Sequence, residues 1–77
     1  MNNPILQALI NAGMFDEDMN ILKYKDERVL IIEGRDVDEL AIFTLNEHGV
    51  HVHVMLEGTE MVNQFYKNIN DYIEEFK

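Results

Sequence analysis

The chain of 77 residues contains neither cysteine nor serine. Without cysteine it can form no disulfide and no thiolate zinc site. The stability of such a small fold therefore depends on packing, on metal ligation by histidine, or on a partner chain. Without serine and cysteine, the usual nucleophilic triads cannot be assembled, and we expect a binding protein rather than an enzyme. The lack of cysteine also fits a reducing cytoplasm, where we expect the protein to reside.

Basic residues are scarce as well. Six Lys and Arg stand against 15 Asp and Glu, which gives a formal net charge of −9. Such a surface repels the phosphates of nucleic acids and of anionic lipids, because binding either one requires clusters of Lys and Arg. We therefore expect no direct binding of nucleic acid or membrane, and a partner protein with a basic surface.

Long apolar runs are also missing. No run approaches the roughly 18 apolar residues needed to span a bilayer, and residues 1–13 lack the positive region of a signal peptide. Even so, 47% of the residues are hydrophobic, a share typical of folded proteins. The length suits one domain over residues 1–77, and we expect it to be soluble.

Local patterns predict the elements. Asn3 and Pro4 are typical of a helix start, and apolar residues at helical spacing then predict a short helix over about residues 4–12. Two hairpins follow, with four β-favouring runs: Ile21–Tyr24, Val29–Ile32, Leu40–Leu45 and Val50–Leu56. After Thr59, apolar residues advance by three or four positions and predict a long C-terminal amphipathic helix. The predicted fold class is α+β, a four-stranded antiparallel sheet with two helices in the order α-β-β-β-β-α.

Alternation along the strands predicts two sheet faces. If Asn46 pairs near Val50, then Phe43 and Leu45 lie on the same face as the histidines, opposite the valines of the fourth strand. That second face would carry Ile21, Leu30, Ile32, Phe43, Leu45 and Met55, which is too apolar for a solvated surface. Either one helix covers it, or both helices lie on the other side and it forms a homodimer interface. We favour the homodimer.

Two histidines suggest a metal site. His51 and His53 lie two positions apart on one strand, so both imidazoles project from one face, and Glu57 shares that face. The spacing resembles a fragment of the cupin metal motif, but the chain lacks the strands of a double-stranded barrel. Because no third ligand is assured, we expect no metal and no cofactor. A histidine-dependent metal or small-ligand binder remains the alternative function.

The acidic residues occur in clusters. Their ordinary role is solubility, but rows of carboxylates can also imitate phosphates and occupy a basic groove. In size and composition the chain is similar to small acidic viral inhibitors and to immunity proteins, which select partners by complementary charge. We therefore predict an inhibitory or regulatory protein-binding module. Its predicted partner-binding surface comprises Asp16, Glu17, Asp18, Glu33, Asp36, Asp38, Glu39, Asp71, Glu74 and Glu75.

Overall fold

A computed structural model describes residues 3–77 of the chain. Its elements are α1 (Pro4–Asn11), β1 (Asn20–Lys25), β2 (Val29–Gly34), β3 (Glu39–Asn46), β4 (Gly49–Leu56), β5 (Thr59–Tyr66) and α2 (Ile69–Phe76). The strands form one antiparallel sheet in chain order, from β1 at one edge to β5 at the other. The α+β class is confirmed and the four predicted strands are present. The four-stranded sheet and the long C-terminal helix are wrong.

The first helix begins where the sequence predicts. The Asn3 side chain accepts hydrogen bonds from the backbone N–H groups of Ile5 at 2.9 Å and Leu6 at 3.0 Å. Its amide nitrogen also donates to the carbonyl oxygen of Asp26 at 2.8 Å. Asn3 is only 3% exposed, so this single buried residue both caps α1 and attaches it to the β1–β2 turn.

The fifth strand replaces the first half of the predicted helix. Glu57 and Gly58 both have positive φ angles, 51° and 78°, as a two-residue hairpin turn of type I′ requires. The chain therefore returns along β4 as β5. One register shift, a β-bulge at Met61, interrupts this pairing. The buried residues of β5 are Val62 and Tyr66, whose spacing of four satisfies both a strand and a helix.

The second helix is short and has its own start signal. The Asn68 side chain accepts a hydrogen bond from the backbone N–H of Asp71 at 3.2 Å. The helix then buries Tyr72 and Ile73, and the Tyr72 ring meets the Phe43 ring edge-on with centroids 5.6 Å apart. This contact fixes α2 against the middle of the sheet.

The strand register differs from the prediction by one residue. Asn46 pairs with Gly49, so Phe43 lies opposite Val52 and on the valine face. A slip of one position exchanges the two faces of a strand. The buried core consists of Ile5, Leu9, Leu30, Ile32, Phe43, Val50, Val52, Val54, Val62, Tyr66, Tyr72 and Ile73. Because this one core includes residues of both helices, α1 and α2 lie on the same side of the sheet.

The predicted dimer face therefore needs correction. Leu30, Ile32 and Phe43 lie in the core, and Leu45 is half-buried against it. They cannot form the predicted face, because their side chains lie on the helix side of the sheet and the alternate residues of the same strands lie on the other side. Ile21 and Met55 remain on the side away from the helices.

The sheet surface away from the helices is called the open face below. The strand pairing assigns these residues to the central part of the open face: Tyr24, Val29, Ile31, Leu40, Ile42, Thr44, His51, His53, Met55, Asn63 and Phe65. Tyr24 and Phe65 are about half exposed. The homodimer itself stays a prediction.

The helices are too short to cross a bilayer: neither α1 nor α2 within residues 3–77 has the length and apolar content required.

Candidate functional site

One end of the sheet gathers most of the negative charge. The α1–β1 loop, the β2–β3 loop, the β4–β5 turn and the adjoining strand ends all lie there because the strands run antiparallel in chain order. This surface, the acidic end, carries nine of the 15 acidic residues. They are Asp16, Glu17, Asp18, Glu33, Asp36, Asp38, Glu39, Glu57 and Glu60. Within residues 3–77, Arg35 is the one basic residue found there.

Backbone hydrogen bonds hold the loops of the acidic end together. The Glu57 N–H donates to the carbonyl oxygen of Asp38 at 2.7 Å, and the Arg35 N–H donates to that of Met19 at 2.9 Å. The Arg35 side chain donates to the carbonyl oxygen of Glu17 at 3.2 Å. The guanidinium is thus attached to backbone, and three loops distant in sequence form one surface.

The carboxylates of the acidic end are almost free of ion-pair partners. In the described part of the chain, the two ion pairs join His48 to Glu47 and His53 to Glu60. Only Glu60 belongs to the acidic end. Since exposed carboxylates without cationic neighbours repel one another, their charge is available for a partner.

Both helices add to this negative potential. α1 starts beside the β1–β2 turn, at the opposite end of the sheet, and α2 starts just after Tyr66 near the same place. Their C-termini therefore point toward the acidic end. A helix C-terminus carries about half a negative charge; α1 has no basic residue in its last turn, whereas Lys77 is the C-cap of α2.

The opposite end of the sheet is balanced in charge. Its acidic residues are Asp26, Glu27 and Glu47, and its basic residues are Lys25, Arg28 and Lys67. The predicted partner-binding residues Asp71, Glu74 and Glu75 lie on α2 and belong neither to these loops nor to the strand ends. Glu75 accepts a hydrogen bond from the Tyr66 hydroxyl at 3.0 Å, and burial, together with this carboxylate, raises the pKa of Tyr66 to about 12. Thus the structure brings seven of the ten predicted residues together and leaves these three apart.

An apolar groove opens at the acidic end, between the helices and the sheet. Its volume is about 330 Å³, near the lower limit of ligand pockets. The lining comprises Leu9, Met14, Asn20, Ile32, Glu39, Ala41, Phe43, Val54, Leu56, Met61, Val62, Tyr72 and Phe76. Burial, and secondarily the nearby Glu39 carboxylate, raises the pKa of Tyr72 above its usual value. Tyr72 is therefore neutral at physiological pH, and Glu39 is the charged group of the groove.

The two predicted metal-ligating histidines lie side by side on the open face. His51 Nε2 donates to Asn63 Oδ1 at 2.7 Å, and His53 Nε2 donates to Glu60 Oε1 at 2.9 Å. Asn63 Nδ2 also donates to the Glu60 oxygen, at 3.2 Å. Glu57, which the sequence placed on the same face as a candidate ligand, lies in the β4–β5 turn and takes no part in this network.

This network occupies one ring nitrogen of each histidine. Each Nε2 donates its proton across the strands, so only Nδ1 of each ring keeps a lone pair. No group of three or more histidine and carboxylate side chains within residues 3–77 is placed to hold a metal. The four side chains satisfy one another instead.

No protein-family model, no curated protein and no solved structure matches the chain. Any functional proposal therefore depends on the chain's own geometry.

Sequence reasoning missed the groove, and it missed Glu57 and Glu60 as part of the acidic end. The groove exists because Met61 lies in a β-bulge and α2 is short, neither of which was predicted. A signal for the turn was present, since Glu57-Gly58 separates two β-favouring runs by two residues.

Proposed function

We propose that the chain is a small protein-binding module that docks its acidic end on a basic surface of another protein. Its effect is inhibitory or regulatory, because an acidic end that occupies a basic groove excludes the nucleic acid that such grooves normally hold. The observation that carries the proposal is the segregation of charge. Nine acidic residues face one arginine at one end of the sheet, whereas the other end is balanced.

Scattered charge would be enough for solubility, but here the charge is concentrated at one end of the sheet. A concentrated field attracts a basic partner over a distance and orients it during the encounter, so it accelerates association. Loops tied together by backbone hydrogen bonds hold the carboxylates in place, which lowers the entropy cost of binding. For the alternative function, a histidine-dependent metal site, the described residues contain no group of three or more ligating side chains.

The test is binding of a synthetic decalysine peptide, measured by calorimetry at several salt concentrations. We expect the affinity to fall by about tenfold or more between about 50 and 200 mM salt, because the interaction is between charges. The triple variant Glu17→Gln, Asp36→Asn, Asp38→Asn should bind about tenfold more weakly at low salt.

A matched control removes the same charge elsewhere. The variant Glu27→Gln, Glu47→Gln, Glu74→Gln also loses three carboxylates, all exposed and outside the acidic end. It should keep most of the wild-type affinity. Equal loss of affinity in both variants, or binding that ignores salt, would refute a localised docking surface.

A further inference from the structure

The apolar groove lies in the middle of the charged surface. Glu39 and Asn20 form part of its wall, and both begin strands at the acidic end. Leu56 and Met61 flank the β4–β5 turn on the same side. A partner that meets the carboxylates is therefore positioned over the groove as well.

The groove is open because two large side chains are not folded into it. Met61 is 57% exposed and Phe76 is 47% exposed, although both line the groove. The β-bulge in β5 places the extra residue Met61 beside Val62 at the rim, and bulges often redirect a side chain in this way. Methionine is flexible and adapts to irregular apolar partners.

Further apolar side chains surround the acidic loops. Met19 in the α1–β1 loop is 68% exposed, and Val37 in the β2–β3 loop is 55% exposed. Five of the eight large hydrophobic side chains exposed in the described chain thus lie at this end: Ile10, Met19, Val37, Met61 and Phe76. Apolar residues in a polar rim are typical of a protein-binding surface.

We propose that the groove binds a bulky apolar side chain of the basic partner, so that the recognised element is a positively charged segment carrying leucine-like or aromatic residues. The inference rests on the proposed function and adds the specificity that charge alone lacks. Carboxylates attract any basic surface, whereas an apolar groove of about 330 Å³ selects a segment with a side chain to fill it. The Glu39 carboxylate within the groove favours a lysine or arginine next to that side chain.

Two synthetic hexapeptides of equal charge separate the groove from the carboxylates. One has two leucines flanked on each side by two lysines, and the other has two serines in place of the leucines. We expect the leucine peptide to bind about tenfold more tightly, since burying one leucine side chain is worth about that factor. The ratio of the two affinities should persist at high salt, because it arises from apolar burial.

Variants locate the apolar contact. Met61→Gln with Phe76→Gln should lower the ratio to about one and leave the serine peptide's affinity unchanged. The control pair Tyr24→Gln with Phe65→Gln alters side chains of similar exposure, 48% and 45% exposed, on the open face and outside the groove. It should keep the ratio. Circular dichroism of each variant checks the fold.

An independent readout needs no variant. In wild-type protein, the leucine peptide should shift the methyl NMR signals of Val54 and Leu56 in the groove and leave those of Val29 and Ile42 on the open face unchanged. The reverse pattern, or a tenfold ratio that survives Met61→Gln with Phe76→Gln, would overturn the groove as the binding place.

The remaining outcomes are distinguishable. If both peptides bind equally and in a salt-dependent manner, the groove proposal fails and the acidic docking surface stands. If neither peptide binds at low salt, both fail. A mass in light scattering that doubles with concentration, and returns to the monomer in the Met61→Gln, Phe76→Gln variant, would show that a second copy of the chain fills the groove instead.

Discussion

Asn3 joins two parts of the molecule through one amide side chain. Its oxygen caps α1, and its nitrogen donates to the carbonyl oxygens of Asp26 and Val29 across the β1–β2 turn. The cap could be predicted from the Asn-Pro pair, because the signal is local. The bonds to the hairpin could not, since they join residues more than twenty positions apart.

We expect Asn3→Ala to lower the free energy of unfolding by about 2 kcal/mol, because it removes the helix cap and takes the side-chain donor away from the part-buried carbonyl oxygen of Asp26. Urea denaturation measures the change. Asn11→Ala is the control: the Asn11 side chain is exposed and accepts one hydrogen bond from Gln7 at 3.1 Å. Its cost should stay within about 0.5 kcal/mol, and an equal cost for both changes would contradict the role given to Asn3.

At the scale of elements, β5 and α2 show where pattern reading fails. Val62 and Tyr66 are four apart, a spacing that serves one face of a helix and one face of a strand equally. The helical spacing continues into Ile69 and Ile73, which do lie in a helix, so two elements resemble one. The strand becomes evident only when the sheet supplies β4 as a partner, and Asn68 marks the true helix start.

The β4–β5 turn also carries local strain. Glu57 has a positive φ of 51°, a conformation that asparagine adopts more readily than glutamate. We expect Glu57→Asn to be more stable than Glu57→Gln by about 0.5–1 kcal/mol, as measured by urea denaturation. The glutamine variant removes the same charge and keeps the strain, so it serves as the reference. Equal stability of the two variants would show that the turn is relaxed.

At the scale of the whole molecule, topology decides what the sequence could reveal. The predicted acidic loops meet at one end because consecutive antiparallel strands return to the same side, which the two predicted hairpins already indicated. The residues of the open face could not be predicted, because a one-residue slip at Asn46 exchanges core and surface along β3. The pattern is apolar on both faces, so alternation alone did not decide between the two registers.

The concentrated charge should also cost stability. We expect the melting temperature to rise between about 20 and 500 mM salt, because ions screen the repulsion among the carboxylates. The variant Glu17→Gln, Asp36→Asn, Asp38→Asn should melt about 3 °C higher than wild type at low salt and respond less to salt. The control variant Glu27→Gln, Glu47→Gln, Glu74→Gln should show a smaller rise in melting temperature. A larger gain in the control would place the repulsion elsewhere on the molecule.

Both outermost strands of the sheet are interrupted. The β1–β2 pairing shifts register at Lys23, and the β4–β5 pairing shifts at Met61. A straight edge strand with unpaired amides and carbonyls could pair with strands of other copies of the chain and lead to fibrils. Here each border is bent, and one carries a lysine at the bend. The protein can therefore leave apolar side chains uncovered without inviting its own copies to stack edge to edge.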